Sequence, residues 1–174
     1  MTDNNGGPRI LGSLRTLDEE PKRLGAVRVE DVYDTSIEDL WSALTEPSRL
    51  ARWIGEFDGD LTVGGQFHAH FTSTWTGLGR VDICEPPHRL LVTTWDEDED
   101  PTAIEAVLEA HGDKVLLVIE ERGLPLQDLA GHGAGWQAHI EDLATYLAGR
   151  PQSDWKDRWD ELSPTYERLA DSLA

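Results

Sequence analysis

Alternating apolar and polar positions predict two strands at the start of the chain. Residues 10–17 and 27–33 alternate, and the turn-prone segment 18–21 separates them. Two alternating runs around a Pro-containing turn are typical of a β-hairpin. The polar, Gly-rich residues 1–9 ahead of the hairpin are expected to form a disordered tail.

Helical periodicity follows the hairpin. Apolar residues recur at the spacing of one helix face at Ile37, Leu40, Trp41 and Leu44. Ser36 stands where a capping side chain is expected. A short second helix is predicted after it, capped by Ser48 and ending before Gly55.

Period-2 alternation then predicts a meander of five antiparallel strands. The runs cover residues 66–75, 79–83, 89–95, 102–110 and 115–121. Glycines, prolines and, in one case, five consecutive acidic residues separate them. We expect that acidic run to be a solvated loop, since it lacks the spacing and the Gly of a calcium-binding loop.

Helical spacing returns over residues 131–148, where Trp136, Ile140 and Leu143 share a face. The remaining residues 154–173 have a similar spacing, but Ser163-Pro164 predicts two short pieces rather than one helix. The order of elements predicts an α+β fold with an antiparallel sheet and helices on one face.

Composition and charge restrict the function. The chain has 174 residues, which is the size of a single domain. Its net charge of −19 gives a surface that repels nucleic acid and anionic membranes. Cys84 is the only cysteine, so a disulfide framework and a thiolate metal site are excluded. No apolar run approaches the ~20 residues of a membrane span, and no signal peptide is visible, so a cytoplasmic protein is expected.

Few residues point to chemistry. No phosphate-binding loop or nucleophile elbow occurs, and no cofactor is expected. His68 and His70 share a strand face and form a possible metal half-site, but their phase favours the solvent side, so we predict no metal. Glu121 is the one candidate catalytic residue: either it is buried with a raised pKa, or the strand has ended and it reaches solvent.

A series of short motifs resembles a known family. The chain is similar to the activator-of-Hsp-ATPase-homologue-like bacterial branch of the START/SRPBCC (helix-grip) superfamily over about residues 10–149. The motifs that carry the resemblance are Val27–Asp34, Leu40–Trp53, Val63–Phe67, Pro87–Trp95, Glu121–Gly123 and Gly135–Leu143.

The resemblance implies a helix-grip fold, in which a curved antiparallel sheet wraps around the long C-terminal helix and encloses a hydrophobic cavity. We therefore expect a helix-grip domain at 10–149 and a helical extension at 150–174 packed on it. The strand phases would point one set of side chains at the helix: Phe67, Phe71, Trp75, Val81, Ile83, Leu91, Trp95, Ile104, Leu108, Leu117 and Ile119. Small residues among them, such as Gly79, would leave either unfilled volume or room for the helix to approach.

The main hypothesis is a binding module for an apolar or aromatic small molecule. The expected cavity residues are Phe67, Phe71, Trp75, Trp95, Leu117, Glu121, Trp136, His139 and Ile140. One alternative is a cyclase-, dehydratase- or hydrolase-type enzyme that uses Glu121 with His139 as its partner. Another is a co-chaperone-like module with a protein partner. A homodimer and a monomer are equally compatible with the sequence.

Overall fold

One antiparallel sheet organises the protein. The computed structural model describes residues 7–18 and 21–173 and contains an eight-stranded sheet in the order β1-β2-β8-β7-β6-β5-β4-β3. The strands are β1 (Gly12–Leu17), β2 (Leu24–Tyr33), β3 (Gly55–Gly59), β4 (Gln66–Phe71), β5 (Thr76–Glu85), β6 (Arg89–Trp95), β7 (Thr102–His111) and β8 (Lys114–Pro125). The helices are α1 (Ile37–Thr45), α2 (Pro47–Leu50), α3 (Leu129–Leu147) and α4 (Trp155–Asp171).

The α+β helix-grip fold is therefore confirmed. Helix α3 lies across β1 and β2, and α4 packs against α3 and β1. Residues 1–6 of the expected tail, Glu19 and Glu20 of the predicted turn, and Ala174 lie outside the described residues. No helix in the described part of the chain is long and apolar enough to cross a membrane.

The capping signal of α1 is confirmed. The Ser36 hydroxyl accepts a hydrogen bond from the Asp39 amide at 3.1 Å. Helix α2 begins at Pro47, one residue before the predicted cap, because proline suits the first helical position, where its missing N–H costs nothing. It ends at Leu50, and Trp53 beyond it donates to the Ala43 carbonyl at 2.9 Å.

The single strand predicted over 66–75 is wrong. The chain turns at residues 72–75 and returns as β5, so Trp75 lies in a hairpin turn. Thr74 adopts φ 73°, a left-handed conformation that threonine rarely takes, which explains why the alternating sequence hid the turn.

Strand β3 was not predicted. It is five residues long, lies at the sheet edge beside β4, and carries the acidic residues Glu56 and Asp58. A short, charged edge strand has weak hydrophobic periodicity in its sequence, because it packs against a neighbouring strand on one side only.

The predicted phase of β6 is wrong by one residue. The register pairs Val81 with Val92 and Ile83 with Leu91, with an irregularity between Val81 and Ile83. Val81 is buried, so Val92 shares its inner face and Leu91 and Ile83 point outward. The segment Leu90–Val92 is apolar throughout, and alternation alone could not choose its face.

Helix α4 is one helix, not two pieces. Pro164 lies inside it and has no N–H to donate to the Asp160 carbonyl. The helix continues because Leu162 and Tyr166 are fully buried against α3, and tertiary packing of this kind outweighs one missing hydrogen bond.

Candidate functional site

A cavity of about 230 Å³ lies between the first half of α3, the start of α4 and the ends of β6, β7 and β8. Aromatic residues make up much of its lining: Phe71, Trp75, Trp95, Trp136, His139 and Trp155. Its polar wall includes Asp96, Glu99, Asp100, Thr102, Glu121 and His132. A dry cavity of roughly 150 Å³ takes up benzene, so this volume suits a molecule of one or two rings.

Glu121 is the polar centre of this wall. It is 5% exposed, because β8 continues past it to Pro125 and its side chain points to the inner face. Trp136 Nε1 donates to Oε2 at 2.6 Å, and the Thr102 hydroxyl donates to Oε1 at 2.9 Å. His132 Nδ1 lies 3.1 Å from Oε2. The expectation that Glu121 reaches solvent is therefore wrong.

The expectation of a raised pKa is also wrong. Burial alone would raise the pKa of Glu121, but the hydrogen bond and charge of His132 and the donors Trp136 and Thr102 outweigh it. The pKa of the carboxyl consequently lies below its usual value. Burial would lower the pKa of His132, yet the hydrogen bond and charge of Glu121 raise it. Both shifts favour a carboxylate–imidazolium pair.

His139 lies one helical turn beyond Trp136 and does not contact Glu121. It is 4% exposed, and burial lowers its pKa to about 3, with only a hydrogen bond to the Trp53 backbone opposing that shift. Its ring lies edge-on to Phe71 and Trp136, with centroids 5.8 and 6.0 Å away. Its Nδ1 has no hydrogen-bond partner among the described residues. This nitrogen is enclosed by the side chains around it and, within the described part of the chain, is an unpaired buried polar atom.

The acidic run after β6 forms the rim of the cavity. Asp96 Oδ1 accepts the amides of Asp98 and Glu99 at 2.9 Å, and Oδ2 accepts Trp75 Nε1 at 3.1 Å. Asp100 pairs with Lys22. This segment is an ordered loop with side chains at the cavity, and the prediction of a merely solvated loop missed that role.

Helix α4 supplies the last part of the wall. Its first residue, Trp155, lies with its ring centroid 5.4 Å from that of His139. Trp159, one turn later, donates from Nε1 to the Gly131 carbonyl at 2.9 Å. A Cβ on Gly135 would lie 3.3 Å from the Trp155 ring, so the glycine allows the close approach of the two helices.

The structure brings six of the nine predicted cavity residues to one cavity. Phe71, Trp75, Trp95, Glu121, Trp136 and His139 line it. Trp95 does so at the strand end, although its pairing with Leu78 puts it on the outer face. Leu117 and Ile140 belong instead to the main core, and Phe67 belongs to a smaller cluster with Ala69 and Val81.

The room beside Gly79 is not empty. A Cβ there would lie 2.2 Å from Cζ of Phe67, so that ring occupies the space. The exposed His68 and His70 lie on the outer face, paired with Asp58 and Glu56 of β3. In the described part of the chain, no group of three or more His, Cys, Asp or Glu side chains could hold a metal ion.

Sequence reasoning missed His132, Thr102 and Trp155 as cavity residues. The available signal for His132 was its spacing: it precedes Trp136 by four residues and shares that helix face. Thr102 pairs with Thr94 at the start of β7. Strand register brings it near Glu121, and register cannot be read from one sequence.

Comparisons with known proteins agree with this architecture. The family model described as "Activator of Hsp90 ATPase homolog 1-like protein" matches residues 34–148. A comparison with curated proteins found no match.

Solved structures share the fold. The crystal structure of CalU16 from Micromonospora echinospora has a TM-score of 0.78 at 27% identity and covers 91% of this chain and 96% of that chain. DynU16, from the dynemicin biosynthetic locus, has a TM-score of 0.68 at 27% identity and covers 74% of this chain and 50% of that one. An HSP90 activator from Plasmodium falciparum, at 18% identity and a TM-score of 0.60 over 74% of this chain and 99% of that chain, shows the fold alone.

Proposed function

The chain belongs to the activator of Hsp90 ATPase homolog 1-like family, and from that starting point we propose that it is a small-molecule-binding protein. Its ligand is an aromatic or apolar molecule held between the sheet and α3. The observation that carries the proposal is the cavity of about 230 Å³, whose wall combines four tryptophans with the buried carboxylate of Glu121.

The apolar wall supplies the affinity. Each 100 Å² of apolar ligand surface removed from water contributes about 2.5 kcal/mol, before the cost of immobilising the ligand. A one-ring ligand would then bind in the millimolar to micromolar range. Flat rings of the size of Trp136 and Trp155 suit a planar partner, because offset-stacked and edge-on arrangements of aromatic rings are favourable.

The polar groups orient the ligand. Nδ1 of His139 and Nε1 of Trp155 are buried and have no partner among the described residues. Both atoms are enclosed, so a ligand reaches them only when the neighbouring side chains shift; hydrogen bonds to both would then remove the cost of leaving them unpaired. DynU16 comes from a biosynthetic locus, a setting in which small-molecule binding is expected.

The lowered pKa of Glu121 argues against a role as general acid, because a general acid at neutral pH needs a raised pKa. The predicted partner His139 lines the same cavity, but among the described residues it is His132 that pairs with Glu121, and burial lowers the pKa of His139 to about 3. Glu121 instead holds Trp136 and His132 in place.

Native mass spectrometry of the protein purified from its natural host, beside denaturing spectra, tests the proposal. We expect extra mass that survives gentle ionisation and is lost on denaturation. The variant Trp136→Ala should lose this mass while its melting temperature falls only moderately. Trp41→Ala, on α1 outside the cavity, is the matched control and should keep it. Retention of the cargo by Trp136→Ala would place the site elsewhere, and a bare chain that also binds no neutral aromatic probe would reject the proposal.

A further inference from the structure

We propose that the cavity selects an organic cation, namely an aromatic or apolar amine in its protonated form. The inference rests on the proposed binding function and adds the charge of the ligand.

The charges at the cavity are unbalanced. Four carboxylates line it, from Asp96, Glu99, Asp100 and Glu121, and among the described residues no Lys or Arg does. Glu121 is compensated by His132, and Asp100 pairs with Lys22. Asp96 and Glu99 line the cavity and have no ion-pair partner in the described part of the chain, although Asp96 accepts hydrogen bonds from Trp75 and two loop amides.

A shift at the rim is consistent with this negative field. Burial raises the pKa of Glu99, and the charges of Asp96, Asp128 and Glu121 raise it further, while His132 opposes them. The part of this shift that follows burial comes from the neighbouring carboxylates. A cation at the mouth would relieve that repulsion, and an anion would add to it.

The aromatic wall suits the same ligand. The faces of tryptophan rings attract cations more strongly than those of other aromatic side chains. Trp75, Trp136 and Trp155 line the cavity. The charge of the rim and the aromatic lining therefore favour one chemical class.

Three probes of similar size separate charge from shape. Phenethylamine is cationic, 2-phenylethanol is neutral and 3-phenylpropionate is anionic at pH 7. Titrations followed by ligand-observed NMR and calorimetry at 20 and 300 mM salt should rank them in that order. We expect the amine to bind about tenfold more tightly than the alcohol at low salt, with the gap narrowing at high salt because the rim is partly exposed to screening ions.

A variant pair assigns the effect to the rim. Glu99→Gln should weaken amine binding about threefold and leave alcohol binding unchanged. Glu97→Gln removes the same charge two residues away on the same loop, outside the cavity, and should change neither.

The outcomes distinguish the two proposals. Alcohol binding as tight as amine binding, or equal losses in Glu99→Gln and Glu97→Gln, would overturn the charge inference and leave the binding function intact. Failure of all three probes to bind at millimolar concentration, together with a cargo-free native mass, would reject the binding function and the charge inference with it.

Discussion

His139 should make the protein sensitive to mild acid. Its pKa in the folded protein is about 3, against 6.5 for an unperturbed histidine. Between pH 6.5 and pH 3 the His139 imidazole is therefore protonated in the unfolded chain and neutral in the folded chain. The stability that the neutral imidazole permits is present above pH 6.5 and is lost as the pH falls towards 3.

The size of this loss follows from the two pKa values. A pH of 5 is 1.5 units below the pKa of 6.5 that His139 has in the unfolded chain. One unit corresponds to about 1.36 kcal/mol, so protonation of the unfolded chain lowers the free energy of unfolding by about 2 kcal/mol. A small part of it, roughly 0.2 kcal/mol, is already present at pH 7. The figure at pH 5 hardly changes if the folded pKa is 4 rather than 3, because the folded histidine is then still neutral.

Asp142 works in the opposite direction. It is 4% exposed, and burial raises its pKa to about 6, with Ser153 as its hydrogen-bond donor. The Asp142 carboxyl therefore binds a proton more readily in the folded chain than in the unfolded chain. Between pH 7 and pH 5 this raises the free energy of unfolding by about 1.3 kcal/mol and offsets part of the loss from His139. Wild-type stability alone would hide most of the His139 effect.

The comparison of wild type with His139→Gln isolates the contribution of His139 to the pH dependence of stability. Urea denaturation at pH 7 and pH 5, followed by circular dichroism, gives the free energy of unfolding of both proteins. The variant loses packing at both pH values, but the advantage of wild type should shrink by about 2 kcal/mol at pH 5. An advantage that stays constant within about 0.5 kcal/mol would refute the assignment of a depressed pKa to His139.

Two further substitutions test the packing. Pro164→Ala restores the N–H that α4 lacks at an exposed position and should stabilise the protein by about 1–3 kcal/mol, measured as a higher melting temperature. An unchanged or lower melting temperature would contradict the description of a continuous helix. Gly79→Ala should destabilise the protein by about 1–3 kcal/mol in urea denaturation because the new Cβ meets the Phe67 ring, and adding Phe67→Leu should recover part of the loss; no recovery would mean that the clash lies elsewhere.

The sequence predicts most of the architecture because period and capping are local properties. The Ser36 cap, the face of α1 and the first hairpin all depend on residues close together in the chain. The turn at Thr74 and the irregularity in β5 could not be predicted in this way, since each is a choice of the backbone that several compatible side chains do not reveal. The α4 helix shows the opposite limit, where packing overrides the local signal of Pro164.

The site is harder to predict than the fold. Glu121, Trp136 and His139 were identifiable from strand phase and helix spacing. The partner of Glu121 was not, because His132 and His139 are seven residues apart on nearly the same face of α3, and which of them reaches Glu121 depends on how α3 is placed along the sheet. The acidic loop lies at the site because the Trp75 indole donates a hydrogen bond to Asp96. This contact joins two separate turns, and hydrophobic periodicity cannot predict it.

The position of Trp155 divides the candidate site between two parts of the chain. The matched family segment ends at residue 148, whereas Trp155 opens α4 and completes the cavity wall. Substitutions on the inner side of α4 can therefore reshape the cavity while the sheet and its core remain untouched. Under the proposed binding function, relatives with the same domain and a different C-terminal helix need not share a ligand, and exchanging that helix between them would alter the choice of ligand.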